Sequence, residues 1–278
     1  MIMRSTIMTS LIAIIVLHSS YPCFGQRPMH ISQIMPKIDS IQVEADKLYA
    51  YEMAYRYSKT KQDKVKNIND NRSYLIYEKY DTTKLIYYKG DTVDFESNFI
   101  NNVPLSINAT HRTFKGHESH LVALQNKVIQ QIRKEYSNID VAEHINEHRK
   151  FIIPFKEGYK FYLLDIPDDS NTISFGRDYL FYLDLAGKVT SIKVFHSETK
   201  TTIELKHNTD STFKVLVNTD RDDCYIYATD ILKFRLTNPK WFDNQGFEVY
   251  SRKNRRTYYY DAKKNKINLL LHPNEKKQ

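Results

Sequence analysis

Between Leu216 and Ile231 the chain reads LVNTDRDDCYIYATDI, with Asp220, Asp222, Asp223 and Asp230 crowded around one thiol, Cys224. Asn218, Asp220 and Asp222 stand at alternate positions, as the first three oxygen ligands of a calcium loop would. The sixth position of such a loop must turn on glycine, and here it is Asp223; the twelfth is Thr229 rather than a bidentate glutamate. What the spacing leaves is a weak cation site at Asn218, Asp220, Asp222 and Asp230, or a solvated turn. Flanking carboxylates disfavour a thiolate, so nothing marks Cys224 as a nucleophile.

A second constellation is His144-Ile145-Asn146-Glu147-His148, which fits H-x-x-E-H. On a continuous helix, residues four apart share a face, so His144 and His148 could hold Zn²⁺ while Glu147 activates water. The surrounding Glu143, Asn146 and Arg149 give that face no apolar cover, and a solvated helix end is the simpler reading. A third is the run SRKNRRTYYYDAKKNK, Ser251 to Lys266, where basic and aromatic residues interleave. Arg252, Arg255, Arg256 and Tyr258 could lie along an anionic polymer, with tyrosine stacking. The alternative is an edge hairpin whose charges block sheet-to-sheet pairing. No G-x-S-x-G occurs, the seven glycines build no phosphate-cradling loop, and no cofactor is implied.

The elements that must position these groups follow an N-terminus that reads as an export signal. Arg4 precedes the apolar run Ile7 to Leu17, and Cys23 and Gly25 suit the small-residue positions before a cut at Gln26. Residues 1–25 are therefore expected to be a signal peptide and 26–36 a linker. The apolar run is short for a bilayer span and no later stretch is longer, so no transmembrane segment is expected in the mature chain. Removing Arg4 takes the formal charge from +8 to +7 (40 basic, 33 acidic). That surplus favours an anionic polymer or envelope component, although a Lys-, Asn-, Ile- and Tyr-rich composition accounts for it as well. Nucleic acid is disfavoured for an exported chain. With Cys224 alone after cleavage, no disulfide can staple the fold.

Apolar residues at Ile38, Ile41, Ala45, Leu48 and Tyr55 predict a helix opening at Pro36, which suits a first helical position. The runs SYLIYEKY, KLIYYK and TVDFESNF, parted by Asp81-Thr82-Thr83 and Lys89-Gly90-Asp91, predict an antiparallel meander. PLSINATHRTF extends it. Leu121, Leu124, Val128, Ile132 and Tyr136 give a central amphipathic helix. Beyond residue 150 the pattern is mostly strands, with hairpins at Lys156-Glu157-Gly158 and Ala186-Gly187-Lys188 and a short helix near 229–236. The fold class is α+β with mainly antiparallel sheets, in a helix-plus-meander region at 37–150 and a strand-rich region at 151–278, or one continuous domain.

SFGRDYLFYLDLAGKV, Phe195-His196, LVNTD, YATDILKFRL and FEVYSRKNRRTYYYDA together resemble an uncharacterised family of secreted Bacteroidota proteins. LYAYEMAYRYS and KLIYYKGDT are compatible with it. The order is also distantly similar to the JAMM/MPN metalloisopeptidase arrangement, in which two histidines and an aspartate hold zinc. That likeness implies ligands at Asn218, Asp220 and Asp230. Only Asp230 keeps its residue type, and a site without nitrogen or sulfur donors suits Zn²⁺ poorly. The expectation is an exported, non-enzymatic binding protein; the alternative is a metal-dependent hydrolase with a degenerate site around 218–230.

Overall fold

The computed structural model of the chain describes residues 30–62, 72–168, 172–175, 177–195, 201–204, 225–237, 246–251 and 256–270. The expected signal peptide, Asn218, Asp220, Asp222, Cys224, Arg252 and Arg255 lie outside them. The chain is α+β, and every described strand pairing is antiparallel.

Helix α1, Ile31–Gln62, opens five residues before the expected start, with Pro36 inside it. The opening is set by His30, whose carbonyl accepts from the Gln33 and Ile34 N–H groups and whose ring Nδ1 accepts from the Ser32 N–H. Pro36 lies in the second turn, where it has no N–H to give the Ser32 carbonyl, yet the helix runs through it, so proline is a poor marker of where this helix begins. Its buried stripe, Ile34, Ile38, Ala45, Leu48 and Tyr51, follows helical spacing.

Four strands form the first meander: β1 (Ser73–Lys79), β2 (Thr82–Lys89), β3 (Thr92–Ile100) and β4 (Val103–Thr113), in that spatial order. Its three loops are each two residues long, and in Tyr80-Asp81 and Asn101-Asn102 all four residues have positive φ. That is the backbone twist a tight hairpin needs, and asparagine and aspartate tolerate it best. Burial alternates strictly along β3, with Val93, Phe95, Ser97 and Phe99 inward.

After α2 (Gly116–Glu135) and the single turn α3 (Val141–His144), a second four-stranded sheet forms from β5 (Arg149–Phe155), β6 (Gly158–Leu164), β8 (Asp178–Leu183) and β9 (Val189–Phe195). Between them β7 (Thr172–Phe175) leaves this sheet and pairs with β10 (Thr201–Glu204) as a separate ribbon. Helix α4 (Ala228–Leu236) precedes a three-stranded meander, β11 (Phe247–Ser251), β12 (Arg256–Asp261) and β13 (Lys266–Leu270). Gly158 closes the β5–β6 hairpin at positive φ, where a Cβ would sit 1.9 Å from the Leu183 carbonyl oxygen. Only glycine permits that approach.

The two faces of the second sheet have different cover. Ile152, Phe161, Leu163 and Phe181 pack on Leu124, Val128 and Ile132 of α2. The opposite face joins α1, α4, part of the first meander and the third sheet in one larger core, which runs through both 37–150 and 151–278. Polar ties stitch that core across long stretches of sequence. Asp46 of α1 accepts from Arg235 at 2.5 Å and from the Asn265 amide at 2.9 Å. The buried Lys233 ammonium of α4 meets Asp178 of β8 at 2.5 Å, and Asp178 also accepts the Asp165 N–H. The Tyr74 hydroxyl accepts the Lys150 N–H, linking β1 to β5. Among the described residues no helix is long and apolar enough to cross a membrane.

Candidate functional site

The first turns of α1 present Lys37, Ser40, Ile41 and Glu44 on one face, at the i, i+3, i+4, i+7 spacing that a helix brings into line. Opposite stand side chains from one face of the second sheet. The register places Lys160 beside Tyr182, and Leu180 between Tyr162 and Lys193. The stretch Tyr225 to Ala228, leading into α4, supplies the third wall. Together these enclose a cavity of about 300 Å³.

Its electrostatics are uneven. Glu44 accepts from the Lys160 ammonium and from the Tyr162 hydroxyl, both at close range. Burial first, and then the Glu44 charge, push the Tyr162 phenol well above its ordinary value, which keeps it a neutral donor. Lys193 lies against aromatic faces: its Nζ is 4.7 Å from the Tyr227 ring centre and 5.2 Å from that of Phe195. Those two rings meet edge to face at 4.9 Å, so the cation is seated on a fixed aromatic corner. Lys37 is exposed at the mouth. Among the described residues, three ammonium groups and one carboxylate line it. A broader hollow of about 420 Å³, lined by Lys79, Tyr80, Thr82, Lys84, Asn98 and Leu105, is built from the first meander alone.

Asp230, alone of the acidic-turn candidates, is among the described residues. It is 1% exposed, and its carboxylate accepts the Tyr227 N–H that opens α4. That bond gives the aspartate a helix-starting role, matching the one its sequence position suggests. Asn218, Asp220 and Asp222 fall outside the described residues, as does Cys224.

The H-x-x-E-H reading required one continuous helix, and the structure does not supply it. Helical geometry ends at His144, and the chain turns through 145–147 into β5. His148 is buried, with Nδ1 2.8 Å from the His144 carbonyl oxygen and Nε2 3.0 Å from that of Arg177. Both nitrogens face carbonyls, which leaves no ring lone pair directed at a metal. His144 instead lies within ion-pair reach of Glu147 and Asp140. Among the described residues, no three His, Cys, Asp or Glu side chains converge as a metal site.

Tyr258 and Arg256 also require correction as polymer contacts. Tyr258 is fully buried in the large core and touches Tyr225, while Arg256 is 8% exposed. On β12 the alternating residues Arg256, Tyr258 and Tyr260 point inward, so half of that strand faces the core. Reading the run as a surface stripe ignored the period of two that a strand imposes.

Lys37, Lys160 and Lys193 escaped the sequence reading because 156 positions separate the first from the last. A usable signal was there. Lys160 shares parity with Tyr162 and Leu164, and Lys193 with Phe195, so each is a lysine on the apolar side of its strand. No family model matches the chain, and no curated protein or solved structure matches it.

Proposed function

We propose that this chain is an exported, non-catalytic binding protein and that the cavity between α1, the second sheet and Tyr225–Ala228 seats a small ligand. One observation supports the reading: a hollow of about 300 Å³, walled by apolar and aromatic side chains with a few polar groups among them, has the size and make-up of a small-molecule seat. Export rests on the N-terminal pattern of Arg4 and the Ile7–Leu17 run.

The experiment is a thermal-shift screen of small organic ligands against the mature chain, repeated with Ser40→Trp. Ser40 is exposed at the cavity wall, so an indole there obstructs the space without entering the core. A ligand that raises Tm in the native chain is expected to lose that effect in the variant. Retention of the full shift would place binding elsewhere. The mature protein is expected to begin at Gln26, which N-terminal sequencing of exported material checks.

A further inference from the structure

We infer that one end of the first meander docks on the surface of an anionic lipid membrane, with two hairpin turns entering the interface. This surface is separate from the cavity at α1, and the inference does not rest on it.

The β1–β2 and β3–β4 turns lie at the same end of the sheet, because its strands pair antiparallel in chain order. Apolar side chains gather there in the open. Tyr80 is 88% exposed, Leu105 67% and Val103 64%, with Ile100 exposed beside them. Ile100 and Val103 are cross-strand partners and so share a face. Leu105 falls at a register shift, the kind of bulge that re-aims a side chain, and it lines the hollow of about 420 Å³ together with Tyr80. Farther along, Val122 of α2 packs with Tyr77, Ile86 and Tyr88 of the same sheet. The four residues at the turn end have no such cover among the described residues.

Stability does not explain them. Tyr80 has a φ of 51°, a left-handed conformation that is costly for a bulky side chain, and its ring adds nothing to the core. A solvated turn takes Gly, Asn or Asp there, as Asn101-Asn102 does next to it.

The occupant follows from area and charge. Four apolar side chains on two turns are few against the roughly 20–30 residues that a stable protein interface uses on each side. They suit a soft apolar phase that needs no matching groove, and tyrosine favours the boundary between membrane and water. Lys79 directly precedes the first turn, its Nζ 5.3 Å from the Tyr80 ring centre. Lys84 stands two residues behind Thr82, about 7 Å along the rise of a strand. A tip seated about 5–10 Å into the acyl boundary would bring both ammonium groups to the level of the lipid phosphates. Asp81 is the one acidic residue within 79–84 and 98–105, and it works against that attraction.

Vesicles of phosphatidylcholine, with and without phosphatidylglycerol, test this by co-sedimentation with the mature chain. The chain is expected to sediment with the anionic vesicles and much less with the neutral ones. Val103→Ser with Leu105→Ser should cut the anionic partition about tenfold, and Lys79→Gln about fivefold, with Tm unchanged because none of the three belongs to a core. Asp81→Asn should strengthen binding. Leu105→Trp should add a blue-shifted emission on anionic vesicles to that of the native chain, whose one tryptophan is Trp241. If the double serine variant binds as the native chain does, the basic surface as a whole is adsorbing and the turns are not the contact. If neutral and anionic vesicles bind equally, the lysines do not select the surface. Absence of binding to either vesicle overturns the inference, and a native dimer that the serine pair dissolves would give this end to a second copy instead.

Discussion

The two four-stranded meanders are built alike and carry their charge differently. On the first, three basic and two acidic side chains are gathered into one cluster. Arg112 of β4 bridges Glu96 of β3 and Glu118 of α2, at 2.6 and 2.7 Å, and Lys84 and Lys115 lie within 4.0 Å of Glu96. Glu118 also accepts the Tyr77 hydroxyl and the Lys115 N–H. Every partner is local to the sheet and the helix end above it. On the second, Lys233 and Asp178 form a buried pair, and Lys160 pairs with Glu44 of α1 at the wall of the hollow that Lys193 also lines. The first sheet keeps its ion pairs close to itself, and the second uses them to hold helices from distant parts of the chain.

The largest effect tests the buried pair. Lys233→Met takes the ammonium away from the Asp178 carboxylate, 0% exposed, which keeps the Asp165 N–H among its donors. The expected loss is about 3–5 kcal/mol in denaturant unfolding, because removing one partner of a buried pair leaves the other charge poorly compensated. A smaller loss than for the next variant would mean that the two sheets bear their charge alike.

Glu118→Gln probes the first sheet. Burial alone would raise the Glu118 carboxyl, but the Arg112 guanidinium, the Lys115 N–H and the Tyr77 hydroxyl outweigh it and hold the group at about 2. A carboxyl held below its usual 4.5 stabilises the fold above that value, and the contribution is lost as pH falls from 4.5 toward 2. The variant should lose about 2–3 kcal/mol at pH 7, and its stability should fall less steeply between those two pH values. Arg112 keeps Glu96, which is why this change costs less than the first. An unchanged acid limb in the unfolding midpoint would remove Glu118 from the account.

Asp230→Ala is the mildest. It deletes the acceptor for the Tyr227 N–H at the start of α4 and should cost about 0.5–2 kcal/mol with no metal added. Stability unaffected in metal-free protein, together with loss of a measured hydrolytic activity, would turn the acidic turn from a helix start into an active site.

Local patterns carried most of the fold's legibility. The β1–β4 meander could be read because its turns combine Asp, Asn and Gly with alternating apolar runs, and α2 because Leu124, Val128 and Ile132 recur at helical spacing. The helix expected near 229–236 is Ala228–Leu236. What was not legible has several causes. The start of α1 depends on a His30 cap, the partner of β7 on a pairing across about thirty residues, and the exposure of Tyr258 on which side of a strand meets the core. The cavity is the extreme case: α1, three strands and the α4 entry each supply a wall, and no window of sequence holds more than one of them.

The ties at Asp46 bear on the order in which the chain can become stable. Synthesis makes α1 well before the residues that hold it, since Arg235 and Asn265 arrive 189 and 219 positions after Asp46. Until β13 is made, Ile34, Leu48 and Tyr51 lack part of the core they belong to. Loop closure on that scale is slow, and the early helix must stay loose or be shielded while it waits. An element made early is thus secured late, and a chain cut short before Lys266 would keep its helix without the surface that fastens it.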